Sequence, residues 1–281
     1  MSERFAFGKN WSLYLQGVDE RKVVRAQESL QQSLGVLDLS GRTFVDVGCG
    51  SGIFSLAACR LGARVHSFDL DPQCVACAQE LRRRFDGGAE PWHIEQGSAL
   101  DQAYLSSLGT FDVVYSWGVL HHTGQMWTAL ENVVQLAAPV GTFFVAIYND
   151  KGGASRRWTM IKRLYNRLPG VARPAIVVPA FFRFWGMTML HDLRRGGDPL
   201  KTWRNYDSIR GMNAYRDLID WVGGYPFEVA TPDEIFAFGR RHGFNLTHLK
   251  TPRGGSGCNE YVFVRDQPAS RNEFASRNEP A

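Results

Sequence analysis

Three glycines at every second position stand out in the stretch TFVDVGCGSGIFSLAA, residues 43–58. An apolar, β-rich run precedes Gly48, and a run with helical periodicity begins at Ile53. A strand that passes through a glycine-rich turn into a helix lets a ligand approach backbone N–H groups closely. The pattern therefore predicts a nucleotide site, and the neighbouring residues must indicate which nucleotide.

The charge and spacing around the loop favour one class of ligand. Gly48, Gly50 and Gly52 depart from the G-x-G-x-x-G fingerprint of dinucleotide sites, which would need glycine in place of Ile53. Asp46 lies two residues before the first glycine, where it would repel a pyrophosphate. A sulfonium or ammonium would be attracted there, so the pattern favours S-adenosylmethionine and argues against an NAD-dependent oxidoreductase.

The segment VDVGCGSG resembles the first motif of class I S-adenosylmethionine-dependent methyltransferases, and residues 43–148 resemble their core. The resemblance implies that Asp46, Gly48 and Gly50 line the methionine part of the cofactor. It implies that Asp69 accepts hydrogen bonds from both ribose hydroxyls, which suits a carboxylate. Further cofactor contacts are expected at Cys49, Leu70, Ala99, Trp117 and Ser98, and Asp101 is the alternative to Ser98 at the adenine amino group.

The segment FDVVYSWGVLHHTG resembles the fourth-strand motif of this family and places two histidines near the transferred methyl group. His122 is the first candidate for a general base, because an unperturbed imidazole titrates near neutral pH. His121 is the second candidate, and Tyr148, at the end of the fifth predicted strand, is the third. Helix capping or core packing is the alternative role for the histidines, and a strand terminus is the alternative for Tyr148.

Alternating short β-rich runs and helical stretches predict the fold. The pattern is typical of a doubly wound α/β protein, with a mostly parallel, seven-stranded Rossmann-like sheet and a helical cap insertion. Helices are expected over residues 19–34, 53–61, 72–84 and 125–137, and the TPDE box at Thr231 predicts another. The strand candidates are TFVDVG, ARVHSFDL, WHIEQG, FDVVYSWG, TFFVAIY, FNLTHLKTP and NEYVFVRD.

The change of pattern along the chain predicts five units. An N-terminal arm and helix occupy residues 1–42, the cofactor-binding core 43–148, a helical cap 149–230, the closing helix and last two strands 231–266, and a disordered tail 267–281. An insertion after the fifth strand leaves the edge where open α/β sheets bind ligands. The cap is therefore expected to cover the substrate.

The whole chain resembles a group of bacterial methyltransferases that share FGKNW, YSWGVLHHTG and DWVGGYPFE elements. The resemblance implies a small-molecule, glycan or natural-product acceptor, and we expect O-methylation because His122 and Tyr148 could help to remove a hydroxyl proton. Salt bridges or packing are alternative roles for each substrate-binding candidate. These candidates are Trp11, Asn149, Arg210, Asp220, Trp221 and Tyr225.

Composition limits the remaining hypotheses. The net charge of +4 is mild for 281 residues, and the predicted helix with Arg156, Arg157, Lys162, Arg163 and Arg167 favours a solvated face over an RNA site. An RNA or protein methyltransferase is the alternative function, and a non-catalytic cofactor-binding protein is less favoured. Five cysteines without zinc spacing indicate a cytoplasmic protein without a metal.

One apolar run bears on partners. Residues 174–190 contain Arg183 and two prolines and fall short of a membrane span of about 20 apolar residues. No membrane span and no nucleic-acid partner are therefore expected. A cap core, a homodimer interface and contact with a lipid-like acceptor are left open for this run.

Overall fold

A seven-stranded sheet organises the computed structural model, which describes residues 5–85, 91–204, 206, 214–252 and 257–265. The strands are β1 (Thr43–Val47), β2 (Arg64–Asp69), β3 (Trp92–Gln96), β4 (Phe111–Trp117), β5 (Ala137–Tyr148), β6 (Phe244–Lys250) and β7 (Cys258–Arg265). Their order is β3-β2-β1-β4-β5-β7-β6, and β7 is antiparallel to both of its neighbours while the other pairs are parallel. The predicted mostly parallel, doubly wound α/β fold is confirmed.

Helices connect the strands and cover both faces of the sheet. They are α1 (Phe7–Leu15), α2 (Glu20–Leu34), α3 (Ile53–Arg60), α4 (Pro72–Phe85), α5 (Gln102–Ser107), α6 (Met126–Val134), α7 (Gly153–Arg167), α8 (Pro174–Arg194), α9 (Lys201–Arg204), α10 (Ala214–Gly223) and α11 (Pro232–Arg241). Short 3-10 turns occupy Leu120–His122 and Gly170–Ala172. Asp19 caps α2 by accepting from Lys22 N, and the predicted capping box of Thr231 and Glu234 opens α11.

Neighbouring residues of the central strands belong to two different cores. Phe44 and Val113 pack in one buried cluster, whereas Val45 and Val114 pack in the other. Successive side chains of a strand point to opposite faces, so a strand buried on both faces must be apolar throughout. This explains why the strand candidates could be recognised from continuous apolar runs.

Two predicted boundaries are wrong. The fifth strand, expected at Thr142, begins at Ala137 because Ala137 pairs with Phe111 at the start of β4. The same pairing ends α6 at Val134, before the predicted end of that helix. The strand bends at Val140, whose φ of 72° lies in the left-handed region.

Residues 149–230, called the cap segment below, leave and rejoin the sheet at one point. Asn149 and Ala230 form an isolated parallel bridge, and Ala230 N donates to Tyr148 O at 3.1 Å. Between them, α7 and α8 both pack on α10. The cap segment has a small apolar core of its own, made of Tyr165, Val177, Ala180, Leu218 and Val222.

The N-terminal helix lies against the sheet domain near the cap segment. α1 packs mainly on α4, and Gly8 N donates to Asp71 Oδ2 at 3.0 Å. Phe5 N donates to Tyr225 O at 2.9 Å, which ties the beginning of the described chain to the end of the cap segment. α1 is thereby held at the carboxyl edge of the strands.

Candidate active site

The glycine loop follows β1 at the carboxyl edge of the parallel strands. Gly48 N and Cys49 N both donate to Phe68 O, at 2.8 and 3.1 Å. Gly48 has a φ of 78°, and a Cβ atom there would lie 2.3 Å from Val119 Cγ1. A side chain at this position would therefore be strained and would overlap the segment after β4. Glycine lets the loop lie directly against Val119.

Two carboxylates flank the loop. Asp46 is buried, accepts a hydrogen bond from Ser55 Oγ at 2.5 Å, and has its pKa raised to about 7, chiefly by burial. Asp69, at the end of β2, accepts from Gly50 N at 3.0 Å and from Asp71 N at 2.9 Å. Burial raises the pKa of Asp69, whereas these backbone hydrogen bonds act in the opposite direction. A negative charge at either position is stabilised by a cation or by further donors.

A cavity of about 1160 Å³ extends from the glycine loop to the cap segment. Its wall includes every residue predicted to contact the cofactor, namely Asp46, Gly48, Cys49, Gly50, Asp69, Leu70, Ser98, Ala99 and Trp117. Asp101, the alternative to Ser98, instead caps α5 by accepting from Tyr104 N and is not among the lining residues. Ser98 therefore lines the cavity, whereas Asp101 does not.

His122 lies in the wall of this cavity, opposite the N-terminal arm. Its Nδ1 is 2.6 Å from Pro226 O, a distance that requires the proton to lie on Nδ1. In the neutral ring Nε2 then carries the lone pair. The ring packs 4.8 Å from Phe7 and 5.7 Å from Tyr148, measured between centroids.

The other two catalytic candidates occupy different environments. Tyr148 lines the cavity, with its ring 5.2 Å from that of Trp221. His121 is fully buried, is not among the lining residues, and stacks 4.2 Å from the Tyr148 ring. Burial lowers the pKa of His121 well below its usual range. His121 therefore packs against the Tyr148 ring in the protein interior and does not line the cavity.

The cap segment contributes a wall that contains buried polar groups. Asp220 and Trp221 line the cavity, and Asp220 Oδ1 and Trp221 Nε1 are buried without a hydrogen-bond partner in the described part of the chain. Burial raises the pKa of Asp220 to about 7. Buried polar atoms of this kind are rare and suit a ligand that supplies the missing partners.

Lys162 corrects one sequence prediction. It was expected on a solvated basic face of α7, but its side chain is fully buried. Its Nζ donates to Trp221 O and lies 4.5 Å from the centre of the Trp221 ring. Burial lowers the pKa of Lys162 to about 7. Lys162 therefore contacts the cap wall through Trp221. The helical periodicity of the neighbouring basic residues did not predict that this lysine is buried.

Of the four other substrate-binding candidates, Trp11 also lines the cavity, two lie elsewhere and one lies outside the described residues. Trp11 lines the cavity and lies against Gly50, where an added Cβ would meet its ring at 3.0 Å. Asn149 lies at the base of the cap segment, where its Oδ1 accepts a hydrogen bond from Asn259 Nδ2 at 3.1 Å. The backbone oxygen of Tyr225 accepts a hydrogen bond from Phe5 N. Neither residue lines the cavity. Arg210 lies outside the described residues.

Sequence comparison identifies the domain that this edge belongs to. Residues 45–143 match the family described as "Methyltransferase domain". The chain is 30% identical to the ubiquinone biosynthesis O-methyltransferase of Xanthomonas oryzae pv. oryzae over 114 residues. This alignment covers 40% of the chain and 46% of that protein. Over 54 residues, 19% of the chain, it is 50% identical to the ribosomal protein L11 methyltransferase of Tolumonas auensis, covering 18% of that protein.

Structural comparison extends the likeness of fold to most of the chain. The magnesium protoporphyrin IX methyltransferase of Synechocystis PCC 6803 with bound SAH superposes with a TM-score of 0.50 at 15% identity, over 89% of each chain. Residues 45–143 thus form a methyltransferase domain, and the chain has the fold of S-adenosylmethionine-dependent methyltransferases. The chain spans less than half the length of the two curated relatives.

The residues of the methyltransferase domain fit S-adenosylmethionine. The glycine loop lies in the wall of the cavity, and Asp69 lies beside it with a carboxylate suited to two hydroxyl donors. Asp46 is a buried carboxyl without a cationic partner among the described residues, which suits a ligand that carries positive charge. These residues would hold the cofactor, whose sulfonium supplies an activated methyl group.

Several cavity residues were missed by the sequence analysis. The aromatic rings of Phe7, Phe184, Trp185 and Tyr206 line the cavity beside the predicted residues. Phe7 belongs to the predicted aromatic arm, which was the available signal. The others lie on helices where inward and outward aromatic residues alternate, so only the packing distinguishes them.

A possible metal-binding group lies elsewhere on the sheet. His66 and His93 face each other on β2 and β3, and Glu95 lies within 3.0 and 3.2 Å of their Nε2 atoms. The three ligand atoms lie within 4.8 Å of one another, and none of these residues lines the cavity. The expectation of no metal rested on cysteine spacing and did not consider this cross-strand pair.

The pKa of Asp46 predicts that cofactor binding is coupled to a proton. A carboxyl with a pKa of about 7 is half protonated at neutral pH, and a cation bound beside it lowers that pKa. Binding of S-adenosylmethionine at pH 7 should therefore release up to about half a proton, and affinity should rise between about pH 6 and pH 8. Calorimetry in buffers of different ionisation enthalpy measures this release.

An Asp46→Asn variant is the control, because the amide retains an acceptor for Ser55 and cannot titrate. Its binding should show neither the proton release nor the rise with pH. Equal proton release in the variant and the native protein would contradict the assignment to Asp46. S-adenosylhomocysteine lacks the sulfonium, so its proton release distinguishes the sulfonium from the ammonium as the partner.

Proposed function

We propose that this methyltransferase transfers the methyl group of S-adenosylmethionine to a hydroxyl of a small molecule held between the glycine loop and the cap segment. The observation that carries the proposal is the orientation of His122. Its Nδ1–H is directed to Pro226 O while the ring lies in the wall of the cavity. With the proton on Nδ1, Nε2 is the ring nitrogen that would take up the acceptor proton.

The size and lining of the cavity support a small acceptor. α1, α8 and α10 contribute Trp11, Phe184, Trp185 and Trp221 to the wall opposite the strands. Aromatic rings bind apolar or planar groups and also stack on sugar rings through their faces. The buried polar atoms of Asp220 and Trp221 would pair with a polar substituent. A natural product or a glycan unit with a hydroxyl fits this lining.

Methyl transfer is an in-line displacement, so alignment and exclusion of water account for most of the protein's contribution. The aromatic wall would orient the acceptor and exclude solvent. Tyr148 lies between His122 and Trp221 and would fix the acceptor at the point where both walls meet. His122 would accept the hydroxyl proton at Nε2 as the new C–O bond forms.

Two observations favour this function over RNA or protein methylation. Lys162, one of five basic residues that suggested a phosphate-binding face, is buried in the cap segment. The likeness to a ribosomal protein methyltransferase extends over 54 residues, 19% of the chain, which leaves most of the chain without a counterpart in that alignment. The part of the chain that would select the acceptor therefore supports a small molecule.

Labelled S-adenosylmethionine tests the proposal. Incubation of the purified protein with pools of hydroxylated small molecules and glycans should transfer label to a low-mass product, and the carbon-13 chemical shift of the transferred methyl group, that of a methoxy carbon, identifies oxygen as the acceptor. Trp221→Ala should raise the KM for that acceptor severalfold without changing cofactor affinity, because Trp221 lies in the cap wall. Phe236→Ala, an exposed residue on α11, is the control. Label confined to macromolecules would overturn the proposal.

A further inference from the structure

The outer surface of the cap segment combines a high positive charge with exposed apolar side chains. Residues 151–195 contain ten basic residues, of which Lys162 is buried, and one acidic residue, Asp192, so the formal net charge of this stretch is +9. The rest of the chain has 22 basic and 27 acidic residues. The mild net charge of the whole protein therefore conceals one strongly basic region.

Exposed apolar residues of this region are spread over the solvent side of α8 and the turn before it. On α8 and the turn before it, Phe182 is 60% exposed, Met187 is 73% exposed and Val171 is 91% exposed. Val178 and Leu193 are also exposed, whereas Val177 and Ala180 of the same helix pack in the core of the cap segment. Exposed apolar side chains of this size, beside the exposed Arg183 and Arg194, make the outer face of α8 suited to a partner.

α7 shows the same combination. Met160 and Leu164 are exposed at i, i+4 spacing, and Arg156, Arg157 and Arg163 are exposed on the same side of the helix. The opposite side carries the buried residues Ser155, Lys162 and Tyr165. Arginines interleaved with large apolar residues characterise helices that lie in the interface of a membrane.

We propose that the outer face of α7 and α8 binds the surface of an anionic lipid bilayer. The arginines would neutralise lipid headgroups, and Phe182, Met187 and Val171 would enter the boundary between headgroups and acyl chains. The helices would lie on the membrane and not span it. Among the described residues, no helix is long and apolar enough to cross a bilayer.

Charge and composition favour a bilayer over two other occupants. A symmetric dimer through this face would bring two basic surfaces together, each with Asp192 as the only acidic residue in the stretch. RNA would complement the arginines but would leave exposed Phe182, Met187 and Val171 without apolar contacts. An anionic bilayer satisfies both the charge and the apolar side chains.

The position of α8 gives membrane binding a consequence. Phe184, Trp185 and Thr188 of this helix line the cavity, while Phe182 and Met187 face solvent. One helix thus forms both a cavity wall and the proposed docking face. The inference goes beyond the proposed function and does not rest on it, because vesicle binding is measured without turnover.

Co-sedimentation with vesicles tests the proposal on the full chain. The protein should bind vesicles of equal parts phosphatidylcholine and phosphatidylglycerol, and bind pure phosphatidylcholine at least about tenfold more weakly. Binding should weaken in about 1 M salt, where the Debye length falls to about 3 Å. Phe182→Ser with Met187→Ser, and separately Arg156→Glu with Arg157→Glu, should each weaken binding about tenfold or more.

Matched control variants distinguish binding through this surface from non-specific adsorption to vesicles. Phe236→Ser changes another exposed phenylalanine and Arg241→Glu another exposed arginine, both on α11, and neither should change vesicle binding. All of these positions are exposed, and equal thermal midpoints confirm that each variant folds. No binding to the anionic vesicles would overturn the proposal. Tighter binding to a single-stranded RNA oligomer, or a stable dimer that the Phe182 and Met187 changes dissociate, would also overturn it.

Discussion

Replacing His122 with asparagine is expected to lower kcat by about 10²–10⁴-fold, the range for loss of a general base. The asparagine amide can still donate to Pro226 O, the bond that His122 Nδ1 makes in the native protein. It cannot accept the hydroxyl proton of the acceptor. The variant should therefore keep the local structure and lose the chemical step.

Steady-state rates and calorimetry together measure this effect. Affinity for S-adenosylhomocysteine should change by less than about twofold, because ground-state cofactor binding and proton transfer are separate contributions. His93→Asn is the matched control, since His93 lies on β3 and is not among the cavity residues. A kcat within threefold of native for His122→Asn would mean that His122 is not a base.

The two adjacent histidines show where prediction from sequence stops. Both lie in the same 3-10 turn, and the motif that they share places both near the reaction centre. Only the packing separates them, because the turn directs His121 into the core and His122 into the cavity wall. A difference of one residue in a turn depends on tertiary contacts that no local pattern encodes.

The cofactor half was predictable because its signals are local. The order of strand, glycine loop and helix, and the acidic residue at the end of the next strand, are set by backbone geometry within about 30 residues. The helix and strand assignments followed from continuous apolar runs and the capping box at Thr231. The strand start at Ala137 was missed because it depends on pairing with Phe111.

The acceptor half was less predictable because its side chains come from distant parts of the chain. Asp220 and Trp221 were identified as candidates, but their buried, unpaired atoms depend on α1, α7 and α10 meeting. Lys162 fitted a solvated helix face by spacing and is instead buried against Trp221. Periodicity assigns a residue to a helix face, but what covers that face is decided by long-range contacts.

Asp69→Ala is expected to weaken affinity for S-adenosylmethionine and S-adenosylhomocysteine by about 100-fold or more. The carboxylate would accept from both ribose hydroxyls, and a hydrogen bond to a charged group contributes about 1.5–3 kcal/mol. Two such bonds exceed the roughly 2.7 kcal/mol that corresponds to 100-fold. Because both ligands share the ribose, the loss should be similar for the two, unlike the effect expected at Asp46.

A structural contribution of Asp69 must be separated from this effect, since the carboxylate also accepts from Gly50 N and Asp71 N. Asp112→Ala is the matched control. Asp112 accepts from Thr43 N and Thr43 Oγ1, both at 2.8 Å, at the start of β1 and thus at the opposite edge of the sheet. It should lower the thermal midpoint and leave cofactor affinity unchanged. If Asp69→Ala lowered only the thermal midpoint, as the control does, the assignment of Asp69 to the ribose would be wrong. Loss of cofactor affinity at an unchanged thermal midpoint would support contact between Asp69 and the ligand.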